Sequence, residues 1–202
     1  MKNIKLLLCI CITFIFTEGC KNSKLSFTDS EIEIINRYSQ QKMRVLLYNN
    51  TQDSLILRQQ TKKLSTADMQ SDIFKNLKTQ MLLTVRDTAN AGVGIAAPQV
   101  GISRRLIAVQ RFDKDGEPFE FYANAYLVYR SDAKRTGSEG CLSIPGRRGN
   151  VERSETVVVE YTDTETLTQQ VDTVSGFTAV IFQHEIDHLD GILYIDKLQQ
   201  NE

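Results

Sequence analysis

Both histidines of this 202-residue chain fall in one pentapeptide, His184-Glu185-Ile186-Asp187-His188, within the run FQHEIDHLDG. On an α-helix, residues i and i+4 share a face. Two imidazoles four apart therefore reach a single cation, and a glutamate at i+1 is placed to serve a water on it. The first hypothesis is a hydrolytic metal site on a helix. The bland alternative is a surface helix that reads this way by chance, and the rest of the chain must decide between them.

Composition bounds the context. With 41% hydrophobic and 24% charged residues and a net charge of −1, the chain suits one globular domain with a proper core. It has no basic excess that calls for nucleic acid. Lys2 and Lys5 precede the apolar run Leu6 to Phe16, then Thr17-Glu18-Gly19-Cys20. This reads as a signal peptide over residues 1–20, since a spanning helix needs about 20 apolar residues. Gly19-Cys20 resembles the cleavage box of bacterial lipoproteins, which implies membrane attachment through a lipidated Cys20, although Thr17 and Glu18 stand where those boxes carry Leu and a small residue. Plain secretion and an uncleaved anchor are the alternatives, as is translation from Met43, which would leave a cytoplasmic domain. Cys9, Cys11 and Cys20 belong to the leader, so Cys141 alone remains in the folded body and no disulfide framework exists there. A solitary cysteine is either a small buried hydrophobe or a reactive or metal-binding thiolate.

Residues 21–42 read as a tether and an N-terminal helix. Thr28 and Glu31 form a capping box, Phe27 staples onto Ile32, and the helix runs to about Gln41 with Ile32, Ile35 and Tyr38 on its apolar side. Arg44–Tyr48 predicts a short strand that Asn49–Asp53 breaks. Ile73, Leu77 and Met81 recur at helical spacing and predict a helix over about 66–86. Two hairpins are expected, one turning at Asp113–Gly116, the other between Thr156–Tyr161 and Leu167–Val174. A last helix capped by Ser175 runs to about Asp190, with Phe177, Ile181, His184 and His188 on one face and Gly191 as its stop. That places the histidines on the apolar side, which favours a ligand role.

Two further stretches carry chemistry. In Gly92-Val93-Gly94-Ile95-Ala96-Ala97-Pro98-Gln99, small residues let the backbone approach something closely. In Glu139-Gly140-Cys141-Leu142-Ser143, the lone cysteine follows a glycine. Together, GVGIAAPQ, EGCLS and QHEIDHLDG resemble the three signature motifs of peptide deformylases, and the likeness extends more weakly over about residues 43–198, the expected catalytic domain being 43–202. The resemblance implies an α+β fold in which antiparallel β-sheets pack around a central C-terminal metal-binding helix, with the 66–86 helix outside. It implies hydrolysis of the N-formyl group of N-formylmethionyl peptides, releasing formate.

Residue by residue, the resemblance makes Cys141, His184 and His188 the metal ligands and Glu185 the general base. Gln99 and the backbone N–H of Leu142 become the oxyanion donors, and Gly94 the group that binds substrate backbone. Arg148 falls where the family places a substrate-side arginine, with Arg147 adjacent. Val93, Leu142, Val180 and Ile181 are expected to line a methionine pocket, or simply to be core. Two imidazoles and a thiolate leave an open position for water, as catalytic sites do. The cofactor implied is one divalent metal ion, Fe2+ by the family's habit, with Zn2+, Ni2+ or Co2+ also suited to the ligands; in an oxidising envelope, zinc is the expectation. Gln183 and Asp187 are candidates for orienting an imidazole or merely for facing solvent, and Glu139 for pairing with Arg148 or an equivalent. Asn124-Ala125, Thr164-Glu165 and Asn49–Thr51 depart from the family's usual turns, which puts loop geometry in doubt. Competing readings are an envelope metallopeptidase or other amide hydrolase, and a silent binding protein on the same scaffold. Fractionation of the source cell tests the leader: the chain is expected in the envelope, and an intact chain in the soluble cytosol would remove export.

Overall fold

The structure, a computed structural model, describes residues 25–88 and 92–199, so the expected leader, Cys20 and most of the tether lie outside the described residues. No helix among the described residues is long and apolar enough to cross a membrane. The first element, α1 (Asp29–Arg37), starts as expected: the Thr28 hydroxyl accepts the Glu31 N–H and the Glu31 carboxylate accepts the Thr28 N–H at 2.8 Å. It ends before the expected Gln41, because Gln40 takes a left-handed φ of 57° and the Gln41 N–H closes a turn onto the Tyr38 carbonyl.

Three expectations for the next stretch are corrected. Arg44–Tyr48 is no strand. Its extended backbone is tied to two different segments, Leu46 N–H donating to the Gln99 carbonyl and Tyr48 N–H to that of Ser143. The polar residues after it start a helix, α2 (Thr51–Leu57), because Asn50 Oδ1 accepts the N–H groups of Gln52 and Asp53. The helix expected over 66–86 is two, α3 (Thr66–Gln70) and α4 (Asp72–Val85). They are split at Ser71, whose extended backbone and hydroxyl cap α4.

Five antiparallel strands form the main sheet in the order β1 (Gly94–Ala96), β2 (Leu106–Gln110), β3 (Phe119–Arg130), β6 (Thr156–Asp163) and β7 (Gln169–Ser175). Both expected hairpins are present, as β2–β3 and β6–β7. Successive strand residues face opposite sides. In β2, Leu106 and Ala108 join the cluster of Phe74, Leu77 and Met81 from α4, while Ile107 and Val109 join that of Ile181, Phe182 and Ile186. Covered on both faces, β2 has little need of polar residues. The polar stretch before the second hairpin is itself a two-stranded unit, β4 (Lys134–Cys141) with β5 (Ile144–Ser154), which the alternation rule missed.

The last helix, α5 (Gly176–Leu189), is buried on nearly every side, and its sequence is apolar enough to accept that. Ser175 stands at its cap position, but its hydroxyl pairs with Thr156 instead of the helix backbone. Phe177 leaves the expected inward face and is 51% exposed. Gly191 ends the segment at φ 75°, where a Cβ would sit 2.4 Å from the Arg58 carbonyl oxygen. The departing turns find local substitutes: Asp163 Oδ1 accepts the Glu165 and Thr166 N–H groups in place of a glycine turn, and Asn124, at φ 53°, binds the Leu64 backbone through both ends of its amide.

Segment 26–37 is fastened to the sheet by a buried ion pair, Arg104 to Glu31 at 2.7 Å, with Arg104 also donating to the Ser26 hydroxyl at 2.8 Å. Glu31→Ala leaves that guanidinium buried without its carboxylate, so unfolding in urea is expected to show a loss of about 3–5 kcal/mol. A loss no larger than the ~1 kcal/mol of a surface pair would contradict the role given to it.

Candidate metal centre

Helical spacing brings His184 and His188 together with ring centroids 5.1 Å apart, and the end of β4 brings Cys141 to them. Cys141 Sγ lies 3.2 Å from His188 Nε2, and the ligand atoms of all three residues fall within 4.8 Å of one another. His184 Nδ1 lies 2.7 Å from Glu139 Oε2, which leaves its Nε2 for the cluster. A carboxylate on the far nitrogen is the usual companion of a metal-binding imidazole. His188 is 1% exposed and sits behind the cleft wall, with no partner for its Nδ1 among the described residues. Burial, with His184 beside it, pushes its pKa well below the usual value and keeps the ring neutral. A thiol, two imidazoles and an orienting carboxylate fit one divalent cation.

Glu185 is also buried, and among the described residues its Oε2 has no hydrogen-bond partner. Burial pushes its carboxyl up to about 7. Gly94 explains how it fits: a Cβ there would lie 2.5 Å from Glu185 Oε1 and 2.8 Å from Ile181 Cγ2. The close approach expected of the glycine loop is thus an approach to the helix that carries the histidines. Gln99 is held by its Oε1, which accepts the Ala96 N–H at 2.8 Å, while its Nε2 faces Cys141 Sγ at 3.4 Å and Ser143 Oγ at 3.3 Å.

These groups close the inner end of a cavity of about 680 Å³. Val93, Leu142, Val180 and Ile181 border it, while Ile181 also belongs to the core cluster of Phe182 and Ile186. Gly94 and Arg148 also border it, with Arg147 beside them.

The neighbours find these partners. Glu139 pairs with an equivalent of Arg148, namely Arg153, which donates to both its oxygens at 2.7 and 2.9 Å. Burial opposes the Glu139 charge, yet the bonds from Arg153 and His184 prevail and bring its pKa down to about 2. Asp187 orients no imidazole; it accepts from Arg153 and, at 2.7 Å, from Lys197. Gln183 clasps the Ser154 backbone at 3.0 and 2.8 Å. Arg148 turns to Ser138, donating to its carbonyl at 3.1 Å. Sequence reading passed over Arg153 and Lys197; the one signal for Arg153 was its place in a β-stretch read as a polar gap.

An α+β domain whose buried helix and adjoining hairpin gather a thiol, two imidazoles and a free carboxylate in a cleft defines a class, the single-metal hydrolases. The family model of polypeptide deformylase matches residues 23–202, further toward the N-terminus than the motifs alone suggest. The peptide deformylase of Finegoldia magna is 40% identical over 143 residues, covering 71% of this chain and 83% of that one. Among solved structures, a Met-Ala-Ser-bound class I type b peptide deformylase from Acinetobacter baumannii aligns with a TM-score of 0.69 at 33% identity, over 78% of this chain and 98% of that one. The Thermotoga maritima peptide deformylase aligns with a TM-score of 0.68 at 29% identity, over 79% and 99%. The chain belongs to the polypeptide deformylase family. Glu139→Gln removes the charge that orients His184, so competition with a chelator is expected to show metal affinity reduced about 10- to 100-fold. Unchanged affinity would contradict that role.

Proposed function

We propose that the protein hydrolyses the N-formyl group of N-formylmethionyl peptides, releasing formate and a free amine. The observation that carries this reading is the partnerless Glu185 carboxylate beside the Cys141, His184 and His188 cluster, at the closed end of a peptide-sized cleft. Those three residues would hold the metal. When bound, the cation supplies Lewis acidity toward water and toward the formyl carbonyl. We take it to be ferrous iron if the domain stays in a reducing compartment and zinc if the leader exports it, with attachment through a lipidated Cys20 as the form of export we favour.

The chain's own residues do the rest. Glu185 takes a proton from the attacking water; its burial favours the neutral acid, so it keeps that proton until the amine departs. Gln99 Nε2 and the Leu142 N–H stabilise the carbonyl oxygen as it gains charge, each worth on the order of 10² to 10³ in rate. The C–N bond of the formamide breaks, and the proton held by Glu185 passes to the amine nitrogen. Gly94 holds the peptide backbone, Val93, Leu142, Val180 and Ile181 take the methionine side chain, and Arg148 borders the following residues.

Glu185→Gln is expected to lower formate release from formyl-Met-Ala-Ser about 10²- to 10⁴-fold while the variant still binds metal. Undiminished release would refute the role of Glu185. No formate from metal-loaded wild type would sink the deformylase reading, and cleavage inside an unformylated peptide would favour an endopeptidase.

A further inference from the structure

Arg135, at the outer end of the cleft, has no task in removing a formyl group. Among the described residues, two strand edges without a partner border the cavity: β1, the end strand of the main sheet, and β4, which pairs there with β5 alone. From Cys141 at the inner end, β4 runs to Arg135 at the outer end, about 20 Å of extended chain. The acids of the wall, Glu139 and Glu185, are both buried at the inner end, and Glu139 is neutralised by Arg153. The remaining charges of the wall are Arg135 at the outer end and, on the facing strand β5, Arg147 and Arg148, of which Arg148 stands opposite Gly140 nearer the inner end.

Their partners are weak. Arg148 turns to Ser138, and among the described residues neither it nor Arg147 forms an ion pair. Arg135 meets Glu155 only at 3.5 Å, with both side chains 43% exposed, a contact that water largely screens. Its guanidinium lies over Gly176, next to the exposed Phe177 at the cleft mouth.

An extended peptide of three residues spans about 10 Å. With its formyl group at the inner end, such a peptide ends near the middle of β4, about 10 Å of strand short of Arg135, a gap that a long arginine side chain reaches across. We propose, resting on the deformylase reading, that the preferred substrates are short formylmethionyl peptides whose free C-terminal carboxylate is held by Arg135, with Arg147 and Arg148 adding to the field. A long chain carries its carboxylate past Arg135 and gains nothing from it. The substrate class is then formylated peptides already released or trimmed.

Kinetics with metal-loaded protein on formyl-Met-Ala-Ser as the free acid, as its C-terminal amide, and on a formylated octapeptide test this. The free acid is expected to exceed the amide by about tenfold in kcat/KM, through KM rather than kcat, as a charge-assisted hydrogen bond gives. The octapeptide should behave like the amide. Arg135→Gln should bring the acid-to-amide ratio toward one; if that variant fails to fold, the fall of the wild-type ratio at high salt gives the same information. Equal values for acid and amide, a faster octapeptide, or a ratio untouched by both Arg135→Gln and salt would overturn the inference. Formate from none of the three substrates would remove the deformylase reading, and this inference with it.

Discussion

Arg153 lies buried between two carboxylates, Glu139 on the hairpin strand β4 and Asp187 on helix α5, and the site depends on that bridge. The hairpin is no part of the five-stranded sheet, so backbone pairing does not fix its place relative to the helix. Yet it carries Cys141, and the helix carries both histidines. The bridge, together with the small apolar cluster of Ile144, Val151, Leu193 and Tyr194, sets the distance between them. A buried pair adds little net stability over an apolar one, but it is costly to break and specific in geometry. Here that geometry extends through Glu139 to His184 Nδ1 and so fixes which imidazole nitrogen faces the cluster.

The same economy shapes the other wall. Gly94 lets Glu185 and Ile181 reach the backbone of β1, and any side chain there would displace the carboxylate. Gln99 sits on a short 3-10 turn whose Ala96 N–H holds one end of the amide, leaving the other end toward Cys141. Three segments distant in sequence thus present a carboxylate, a side-chain amide and a thiol with two imidazoles to one closed end. The outer end stays open, with Arg135 on its wall, and bears on the other terminus of the peptide rather than on the formyl group.

Much of this was legible in the residues. The i, i+4 histidines needed only helical geometry, and the two regular hairpins announced themselves by alternation and turn residues. What failed did so for physical reasons. Asn50 turned a polar stretch into a helix start, and Ser71 split one apolar stripe into two helices, because short polar side chains can satisfy backbone groups either way. The β4–β5 hairpin, RTGSEGC against IPGRRGNVERS, has glycines and arginines where alternation should be, since one side lines an open cleft. Partner choice was beyond reach: Glu139 could be seen to need a cation, but of the arginines on the hairpin only the folded structure shows that Arg153 is the one buried beside it.

The central claim is that one cation is held by one thiolate and two imidazoles from these two elements. X-ray absorption on the zinc-loaded protein tests it most directly. One metal per chain is expected, with a single sulfur at about 2.3 Å and two imidazole nitrogens at about 2.0–2.1 Å. A coordination shell without sulfur, or one that keeps its sulfur in Cys141→Ser, would contradict the account.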